Sequence, residues 1–565
     1  MNPKQTPASH HRPWSHRGHA GGPVGRFLKR WFWANSLVAG VLGLAWLILR
    51  SGSKPSRFAY PCQQAALSAA TLAFGTPFVG ALLAARRQVA AGLRSRAGLA
   101  ACAGGLLVAA GMWGYLAYAN AYHGPVLDPP REYRATLYRV TECPEDPIGD
   151  RFVGVDNLLA LMGREGLKFH RSTGVSLTSG PEGILAADDT VVIKINYQWP
   201  ERGGSNTDVL RGLILRILDH PDGFSGEVVV CENAQFNPID GFDRSENNAQ
   251  DHSLSPHDVV AGFQGQGHPV SHRDWTVLRY KQVDEYDQGD TASGYVVGDY
   301  DPEVHGKVSY PKFDTDYGTL ISLKHGLWDA GSQSYDREHL RFINLPVLKS
   351  HHATYGATVC VKHYMGVVTK ELGTNSHNAI RYGILGALQG EIRPADLNLL
   401  DCIWINANPY DGPWTTYEGA TRRDQLVAGV DPVAIDLWAV KNILIPAFLE
   451  GGYTPPWPEP SADPDDPGSD FREYLDNSMY QLLDAGYEVT NDLERIDALT
   501  WNGSGDGDGD SDVDLADHAA LHDCLNGPGL SAPAGCERLD FDGDSDVDLA
   551  DFAGLQGSFT GPGSF

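Results

Sequence analysis

Two acidic loops of twelve residues near the C-terminus constrain the fold of this chain more than any other sequence feature. They begin at Asp506 and Asp540, and each places aspartates at positions 1, 3, 5, 9 and 12 and a valine at position 8. Calcium takes roughly six to eight oxygen ligands at about 2.3–2.6 Å, and this spacing wraps a short chain around one ion. The alternative, an acidic disordered tail, does not explain why Val-Asp-Leu-Ala-Asp recurs in the same register. We therefore predict two calcium ions in this tail.

The predicted metal residues are the aspartates of these two loops, residues 506–517 and 540–551, which we call the calcium loops. Position 7 needs only its backbone carbonyl. The residues are Asp506, Asp508, Asp510, Asp512, Asp514 and Asp517 in the first loop, and Asp540, Asp542, Asp544, Asp546, Asp548 and Asp551 in the second. Serine replaces the usual glycine at position 6, and aspartate replaces glutamate at position 12. With the amphipathic run after each loop, residues 501–565 resemble a pair of type I dockerin repeats. The resemblance implies a small all-α, EF-hand-like module and a cohesin-like partner.

The other end of the chain is basic and apolar. Residues 1–127 contain thirteen lysines or arginines and no acidic residue. Three apolar stretches within this part are each close to the length of about twenty residues that crosses a hydrocarbon core. They are Trp31–Leu49, Ala65–Ala85 and Ala97–Ala119. We predict three transmembrane helices within residues 31–119, preceded by a basic cytoplasmic tail at residues 1–30.

The distribution of cationic residues predicts the orientation in the membrane. Six precede the first span and four lie between the second and third spans, whereas three lie between the first and second. The positive-inside rule then places the N-terminus in the cytoplasm and the main domain in the periplasm or outside the cell. A cleavable signal peptide is the alternative, but two further spans follow the first. Cys524 and Cys536 flank the linker between the calcium loops and predict a disulfide in an oxidising compartment. We predict no nucleic-acid partner.

Residues 130–500 have the pattern of one large α/β domain. A β-branched run at Val191–Asn196 predicts a buried strand, and the apolar spacing over Thr207–Leu218 predicts a helix. A second strand at Glu227–Cys231 completes a β-α-β unit, which favours a parallel pair and a mainly parallel or mixed sheet. The composition of residues 235–335 predicts an insertion or a lid. Further predicted elements are strands at Arg341–Leu345, Cys402–Ala407 and Gln425–Gly429, and a helix that starts at Asp431-Pro432.

Four segments of this domain occur in an order that resembles the DUF362 family over residues 150–445. They are Val191–Asn196, Phe342–His351, Val361–Gly366 and Asp431–Asp436. Two features depart from the family pattern: Ile195 stands where proline is usual, and the ferredoxin-like cysteine cluster of many relatives is absent. The chain also has no C-x-x-C pair, so we expect no iron–sulfur cluster. The resemblance implies no established reaction.

The polar residues of these segments predict a site for a small anion. In parallel α/β sheets, ligands bind beyond the carboxyl ends of the strands. Three lysines converging there would bind a carboxylate, phosphate or sulfate group, and a histidine nearby would serve as general base. The predicted catalytic residues are Lys194, Lys349 and His351, and the predicted ligand-binding residues are Asn196, Asn344 and Lys362.

Several alternatives remain open from the sequence. Each lysine could pair with an acidic side chain at the sheet edge. His351, His352, His363 and His377 could bind a transition metal, although their spacing matches no compact ligand motif. Residues 203–205, Gly-Gly-Ser, could hold a phosphate at a helix N-terminus. The domain is then either an enzyme that acts on a small anionic substrate or a non-catalytic protein that binds a ligand and assembles at the surface.

Reporter fusions test the predicted topology. A fusion after Arg87 should report the cytoplasm, and a fusion after Pro129 should report export, because ten cationic residues lie on the cytoplasmic side and three on the other. A cytoplasmic reading after Pro129 would contradict both the predicted compartment and the expected disulfide.

Overall fold

The computed structural model describes residues 133–558 with internal gaps, and these residues belong to a unit that spans Pro129–Phe565. The predicted tail at residues 1–30 and the three predicted transmembrane helices lie outside the described residues. The internal gaps are residues 144–146, 148, 236–241, 251, 353, 467, 502–512, 534–535, 537–538 and 541–545.

Strands and helices alternate through most of the described chain. The strands are β1 (Ala135–Val140), β2 (His170–Arg171), β3 (Ser179–Gly180), β4 (Thr190–Lys194), β5 (Glu227–Glu232), β6 (Val270–Asp274), β7 (Gly294–Asp301), β8 (Gly306–Asp314), β9 (Leu320–Ser322), β10 (Gly326–Asp329), β11 (Ser334–Asp336), β12 (Leu340–Asn344), β13 (Val347–His351), β14 (Gly356–Thr358), β15 (Leu397–Asn406), β16 (Thr421–Gly429) and β17 (Ile496–Trp501). The α-helices are α1 (Val153–Arg164), α2 (Thr207–Leu218), α3 (Pro256–Gly265), α4 (Cys360–His363), α5 (Ser376–Ala379), α6 (Ile384–Glu391), α7 (Pro432–Ala439), α8 (Ile445–Glu450), α9 (Asp470–Asp484), α10 (Leu515–Cys524) and α11 (Leu549–Ser558).

A large mixed sheet organises the domain, as the sequence predicts. Its strand order is β17-β1-β16-β15-β12-β4-β5-β6, with β13 beside β15 and β14 beside β13. Five successive strands of this order run parallel to one another, namely β15, β12, β4, β5 and β6. Strand β16, on the other side of β15, is antiparallel to it. The predicted β-α-β unit is therefore confirmed as β4-α2-β5, and the carboxyl ends of five parallel strands lie along one edge of the sheet.

The large sheet is buried on both faces. Successive residues of β4 point to opposite sides, so that Val192 joins one hydrophobic cluster while Val191 and Ile193 join the other. Helices α1, α2 and α3 contribute to the second cluster, and α6, α7 and α9 contribute to the first. Because both faces are covered, the central parallel strands β4 and β5 contain continuous apolar runs, Val-Val-Ile and Val-Val-Val-Cys. Polar side chains at the ends of such strands are consequently buried.

The segment that the sequence predicts as an insertion contributes strands to two different sheets. Its first part contains α3 and β6, and β6 is the edge strand of the large sheet beside β5. Its second part forms a separate five-stranded antiparallel sheet in the order β11-β10-β9-β8-β7. Composition alone did not separate the two parts, because edge strand β6 (Val-Ser-His-Arg-Asp) is as polar as the strands of the small sheet.

One long apolar helical segment in the described residues, Pro432–Glu450, has the length and composition of a membrane span, and 72% of its apolar window is buried inside the protein. It comprises α7, a π-helical segment at Val440–Leu444, and α8. Asp431 caps its first turn, as the sequence predicts, by accepting hydrogen bonds from the amides of Val433 and Ala434 at 2.9 and 3.0 Å. Its burial identifies this segment as a core helix of the α/β domain.

The described part of the tail contains the two helices that follow the calcium loops. Helix α10 begins at Leu515 and α11 at Leu549, the equivalent positions of the two repeats. Val513 and Val547, at position 8 of each loop, are buried. The predicted disulfide between Cys524 and Cys536 is formed.

A lysine cluster at the carboxyl ends of the parallel strands

Three neighbouring strands end in polar residues that are almost completely buried. Lys194, Glu232 and Asn344 are the last residues of β4, β5 and β12. Lys194 pairs in register with Asn344 on one side and with Cys231 on the other. The parallel arrangement therefore brings these three side chains to one edge of the sheet.

Lys194 and Glu232 form a buried ion pair at this edge. The Lys194 Nζ atom lies 2.6 Å from Glu232 Oε2 and donates a hydrogen bond of 2.8 Å to the His363 carbonyl. Burial lowers the pKa of Lys194 to about 8, although Glu232 opposes the shift. Burial raises the pKa of Glu232 to about 7, against the attraction of Lys194 and Lys349. The pair thus holds two groups that both titrate near neutral pH.

Lys349 lies at the centre of the site. Its side chain is fully buried, and its Nζ atom donates a hydrogen bond to the Gly203 carbonyl. Burial lowers the pKa of Lys349 to about 7, and the charge of Lys194 lowers it further, while Glu232 and Asp401 act in the opposite direction. Lys349 is consequently an amine that gains or loses its proton at neutral pH.

Lys362 and His351 form a second contact beside Lys349. Lys362 Nζ donates to His351 Nδ1 and, at 3.2 Å, to the Thr358 hydroxyl. Burial and the charge of Lys349 hold the pKa of Lys362 well below its ordinary value. Burial, with the charges of Lys362 and Lys349, likewise holds the pKa of His351 well below 6.5. The imidazole is therefore neutral at neutral pH. We refer to Lys194, Lys349 and Lys362 as the lysine cluster.

The side chain of Asn344 orients a second histidine, His363. Its Oδ1 atom accepts a hydrogen bond of 2.7 Å from His363 Nδ1, and its Nδ2 donates to Asn398 Oδ1 at 2.9 Å and to the Cys360 carbonyl at 3.2 Å. This network fixes the ring of His363 next to the Lys194 contact. Asn344 therefore acts through His363.

Asn196 lies two residues beyond the end of β4, not within the strand as the sequence predicts. Its backbone amide donates to the Ser205 hydroxyl at 2.7 Å. Its side chain is buried, and its Oδ1 atom accepts no hydrogen bond within the described residues. An unsatisfied buried acceptor of this kind is a natural contact for a bound ligand.

A phosphate at residues 203–205 would need available backbone amides at the N-terminus of α2. Asn206 caps α2 by accepting from the amides of Asp208 and Val209 at 2.9 and 3.3 Å. The amide of Thr207 donates to Asn247 Oδ1 at 3.4 Å. The first amides of α2 are thus satisfied by the protein itself, so this alternative has no support in the structure.

The histidine alternative also lacks support in the described part of the chain. There, two groups have three potential ligand atoms within 4.8 Å of one another: Asp188 with Asp189 and His339, and Asp546 with Asp548 and Asp551. Neither includes His351, His352, His363 or His377. The second group lies in the second calcium loop.

Part of the calcium-loop geometry is visible. Asp548 caps α11 by accepting from the Ala550 amide at 2.7 Å, and Asp551 Oδ2 accepts from the Asp548 amide at 2.7 Å. In the first loop, Asp514 and Asp517 make the same two contacts. Asp546 also accepts a hydrogen bond from the Gly529 amide. Asp540 is described, whereas Asp506, Asp508, Asp510, Asp512, Asp542 and Asp544 lie outside the described residues.

The sequence analysis did not assign three further residues to the site. Glu232 ends the strand next to Lys194, and this position was the signal that could have identified it. Asp401 lies in β15, and burial raises its pKa to about 6. Gly366 is packed so closely against Lys194 and Glu232 that a Cβ atom there would collide with both. The requirement for glycine arises from this close approach, which the sequence does not display.

The fold and the site together define a mixed α/β protein with a buried lysine cluster at the carboxyl ends of its parallel strands. Residues 337–441 match the family described as "Domain of unknown function (DUF362)". The match includes Asn344, Lys349, His351 and Lys362, whereas Lys194 precedes it. No curated protein and no solved structure matches the chain.

The low pKa of Lys349 predicts that stability depends on pH. The unfolded chain binds more protons than the folded one between the folded pKa of about 7 and the ordinary value of 10.5, so the free energy of unfolding rises with pH in this window and falls as pH drops towards 7. Lys194 contributes in the same direction. Removing Lys349 should therefore reduce the slope, by at most about 1.4 kcal/mol per pH unit.

Denaturant unfolding of wild type and Lys349→Met from pH 7.5 to 10 measures this slope. Lys281→Met, which removes an exposed ammonium group, is the control and should keep the wild-type slope. Equal slopes for wild type and Lys349→Met would show that Lys349 is fully charged in the folded protein.

Proposed function

We propose that the α/β domain binds a small anionic substrate at the lysine cluster and acts on it as an enzyme. The observation that carries this proposal is the convergence of Lys194, Lys349 and Lys362, all buried, with mutual repulsion contributing to the lowered pKa values of Lys349 and Lys362. Burying several amines together is costly unless an anion compensates their charge. A carboxylate, phosphate or sulfate group provides that compensation.

The chemistry of the cluster favours proton transfer. A general base works best when its pKa lies near the working pH, and burial lowers the pKa of Lys349 to about 7. The ion pair with Glu232 holds Lys194 at the end of β4, where its ammonium group would be a further hydrogen-bond donor to the anion. His351 is a neutral imidazole and is a further candidate for accepting a proton. Lys349 is thus the proposed base, with Lys194, Lys362, Asn196 and the Asn344–His363 pair positioning the substrate.

Anion binding should weaken when Lys349 is replaced by methionine. In calorimetric titrations with phosphate, sulfate and a small dicarboxylate, wild type should bind at least one of them. Lys349→Met should weaken that binding by about tenfold to a hundredfold, since a hydrogen bond to a charged group contributes about 1.5–3 kcal/mol. Lys281→Met should bind as wild type does.

The same ligands separate an enzyme from a binding protein. Turnover of an anion that binds in a Lys349-dependent manner supports the enzyme, and tight binding without turnover supports a non-catalytic receptor. Equal anion affinities for wild type, Lys194→Met and Lys349→Met would refute the proposed site in either form.

We also propose that the tail binds two calcium ions and docks the protein to a cohesin-like partner. Asp546, Asp548 and Asp551 offer carboxylate oxygens within 4.8 Å of one another. Asp517 and Asp551, at position 12 of the two loops, are completely buried, and a cation would offset the cost of burying them. Leu515 and Leu549 are 73% and 76% exposed at equivalent positions, which gives each repeat an apolar contact for a partner.

Calcium should bind with a stoichiometry of two per chain. Replacing Asp517 and Asp551 together by asparagine keeps an oxygen for the capping hydrogen bond but removes the charge. We therefore expect this double variant to lose calcium binding in calorimetry while its α/β domain stays folded. Asp523→Asn, at an exposed acid outside both loops, should retain two ions. A wild-type chain that ignores millimolar calcium would contradict the proposal.

The proposed location is the membrane, with the main domain periplasmic or extracellular. The three apolar stretches and the cation distribution of residues 1–127 support the anchor and its orientation. The disulfide between Cys524 and Cys536 fits an oxidising compartment on that side.

A further inference from the structure

We propose that Asp188, Asp189 and His339 bind one divalent transition-metal ion, for which Zn²⁺ is the best match. The three residues lie at the amino ends of β4 and β12, whereas the lysine cluster lies at the carboxyl ends of the parallel strands. Asp188 and Asp189 immediately precede β4, and His339 immediately precedes β12. The two strands are joined here by a hydrogen bond of 2.8 Å from the Thr190 amide to the His339 carbonyl. The three side chains therefore come from backbone that is held together by the sheet.

The ligand atoms are at distances that suit a shared ion. One carboxylate oxygen from each aspartate and one ring nitrogen of His339 lie within 4.8 Å of one another. His339 Nε2 is 3.8 Å from Asp188 Oδ2, which is too far for a hydrogen bond. Two ligands at about 2.0–2.1 Å from a tetrahedral zinc ion stand about 3.4 Å apart. A small contraction of the exposed Asp188 side chain would complete the contact.

A fourth residue prepares His339 for metal binding. Asp336, the last residue of β11, accepts a hydrogen bond of 2.6 Å from His339 Nδ1. Its other oxygen accepts from the amides of Glu338 and His339 at 3.0 and 3.1 Å, which fixes the carboxylate. A proton held on Nδ1 leaves the lone pair on Nε2, the nitrogen that faces Asp188. This carboxylate–histidine arrangement is the usual support of a histidine metal ligand.

Asp189 supplies an independent indication of a missing ligand. Its side chain is completely buried. Oδ2 accepts hydrogen bonds from the Ala186 amide at 2.8 Å and from Arg341 Nε at 2.9 Å. Oδ1 is equally buried, yet it accepts no hydrogen bond within the described residues. A buried carboxylate oxygen without a partner is costly, and a metal ion would satisfy it.

The charges around the site also favour a cation. Asp188, Asp189 and Asp336 contribute three carboxylates. Arg341, the cationic side chain that pairs with Asp189, is shared with Asp396, at an Nη1–Oδ1 distance of 3.1 Å to the latter. The acidic groups therefore outnumber the cationic one.

The donor set distinguishes between metals. Calcium and magnesium prefer oxygen ligands alone, whereas imidazole together with carboxylates suits zinc and its neighbours in the first transition row. Asp188 is 66% exposed and His339 is 43% exposed, which leaves room for water as a further ligand. The ion would link the end of the small sheet, at Asp336, to the start of β4 and β12, so we assign it a structural role.

Zinc binding by the full-length protein tests this assignment. Equilibrium dialysis against Zn²⁺ is carried out in excess Ca²⁺, which occupies the calcium loops, and bound zinc is measured by mass spectrometry. Wild type should retain one more zinc ion per chain than His339→Ala. Asp188→Asn changes an exposed side chain that the fold does not require, and it should weaken zinc binding at least tenfold.

His257→Ala is the matched control. His257 is also a half-exposed histidine paired with an aspartate, Asp243, at 2.8 Å, but it belongs to neither of the potential metal-binding groups in the described residues. It should keep the wild-type zinc content. Equal zinc contents for wild type, His339→Ala and Asp188→Asn would overturn the proposal, whatever the outcome for the lysine cluster.

Discussion

The buried ion pair between Lys194 and Glu232 is the interaction on which the site depends. Both groups end adjacent parallel strands, and both are almost completely removed from water. A buried ion pair is a poor source of stability, because desolvation of the two charges offsets most of their attraction. Gly366 is packed directly against the pair, so that a side chain at this position would collide with both residues. Such an arrangement is better explained by a function than by the needs of folding.

The parallel sheet determines where the other polar groups collect. Because helices cover both faces, the strand ends are where buried polar side chains from different parts of the chain can meet. Lys349 lies in β13 and Lys362 in α4. The charge of Lys194 helps to lower the pKa of Lys349, and the charge of Lys349 helps to lower the pKa of Lys362. The resulting site is rich in amines although the chain as a whole carries a net charge of −27. A bound anion would favour the charged form of the amines whose pKa values burial lowers, and this is the physical basis of the proposed anion site.

The sequence predicted the parts of this fold that local patterns encode. The bounds of α2 agree with the apolar spacing of Thr207–Leu218, and the Asp431 cap of α7 followed from an acidic residue before proline. The β-branched run of β4 and the rule for parallel strands also placed Lys194 and Asn344 at one edge.

Local patterns do not encode pairing between distant segments. The parallel pairing of β1 with β17, which joins the two ends of the domain, could not be predicted for this reason. Glu232 was missed because an acid at the end of an apolar run also fits an ordinary exposed strand end. Asp189 and His339 were missed because only the pairing of β4 with β12 brings them together.

A crystal structure of the protein soaked with the anion that binds in the titrations, whether phosphate, sulfate or the dicarboxylate, would locate the proposed site. We expect this anion at the carboxyl ends of β4, β5 and β12, with oxygens within hydrogen-bond distance of Lys349 Nζ and of the Nζ atom of Lys194 or Lys362. A structure in which this anion binds elsewhere, or in which the three lysines remain bonded only to protein groups at a saturating anion concentration, would contradict the proposed site.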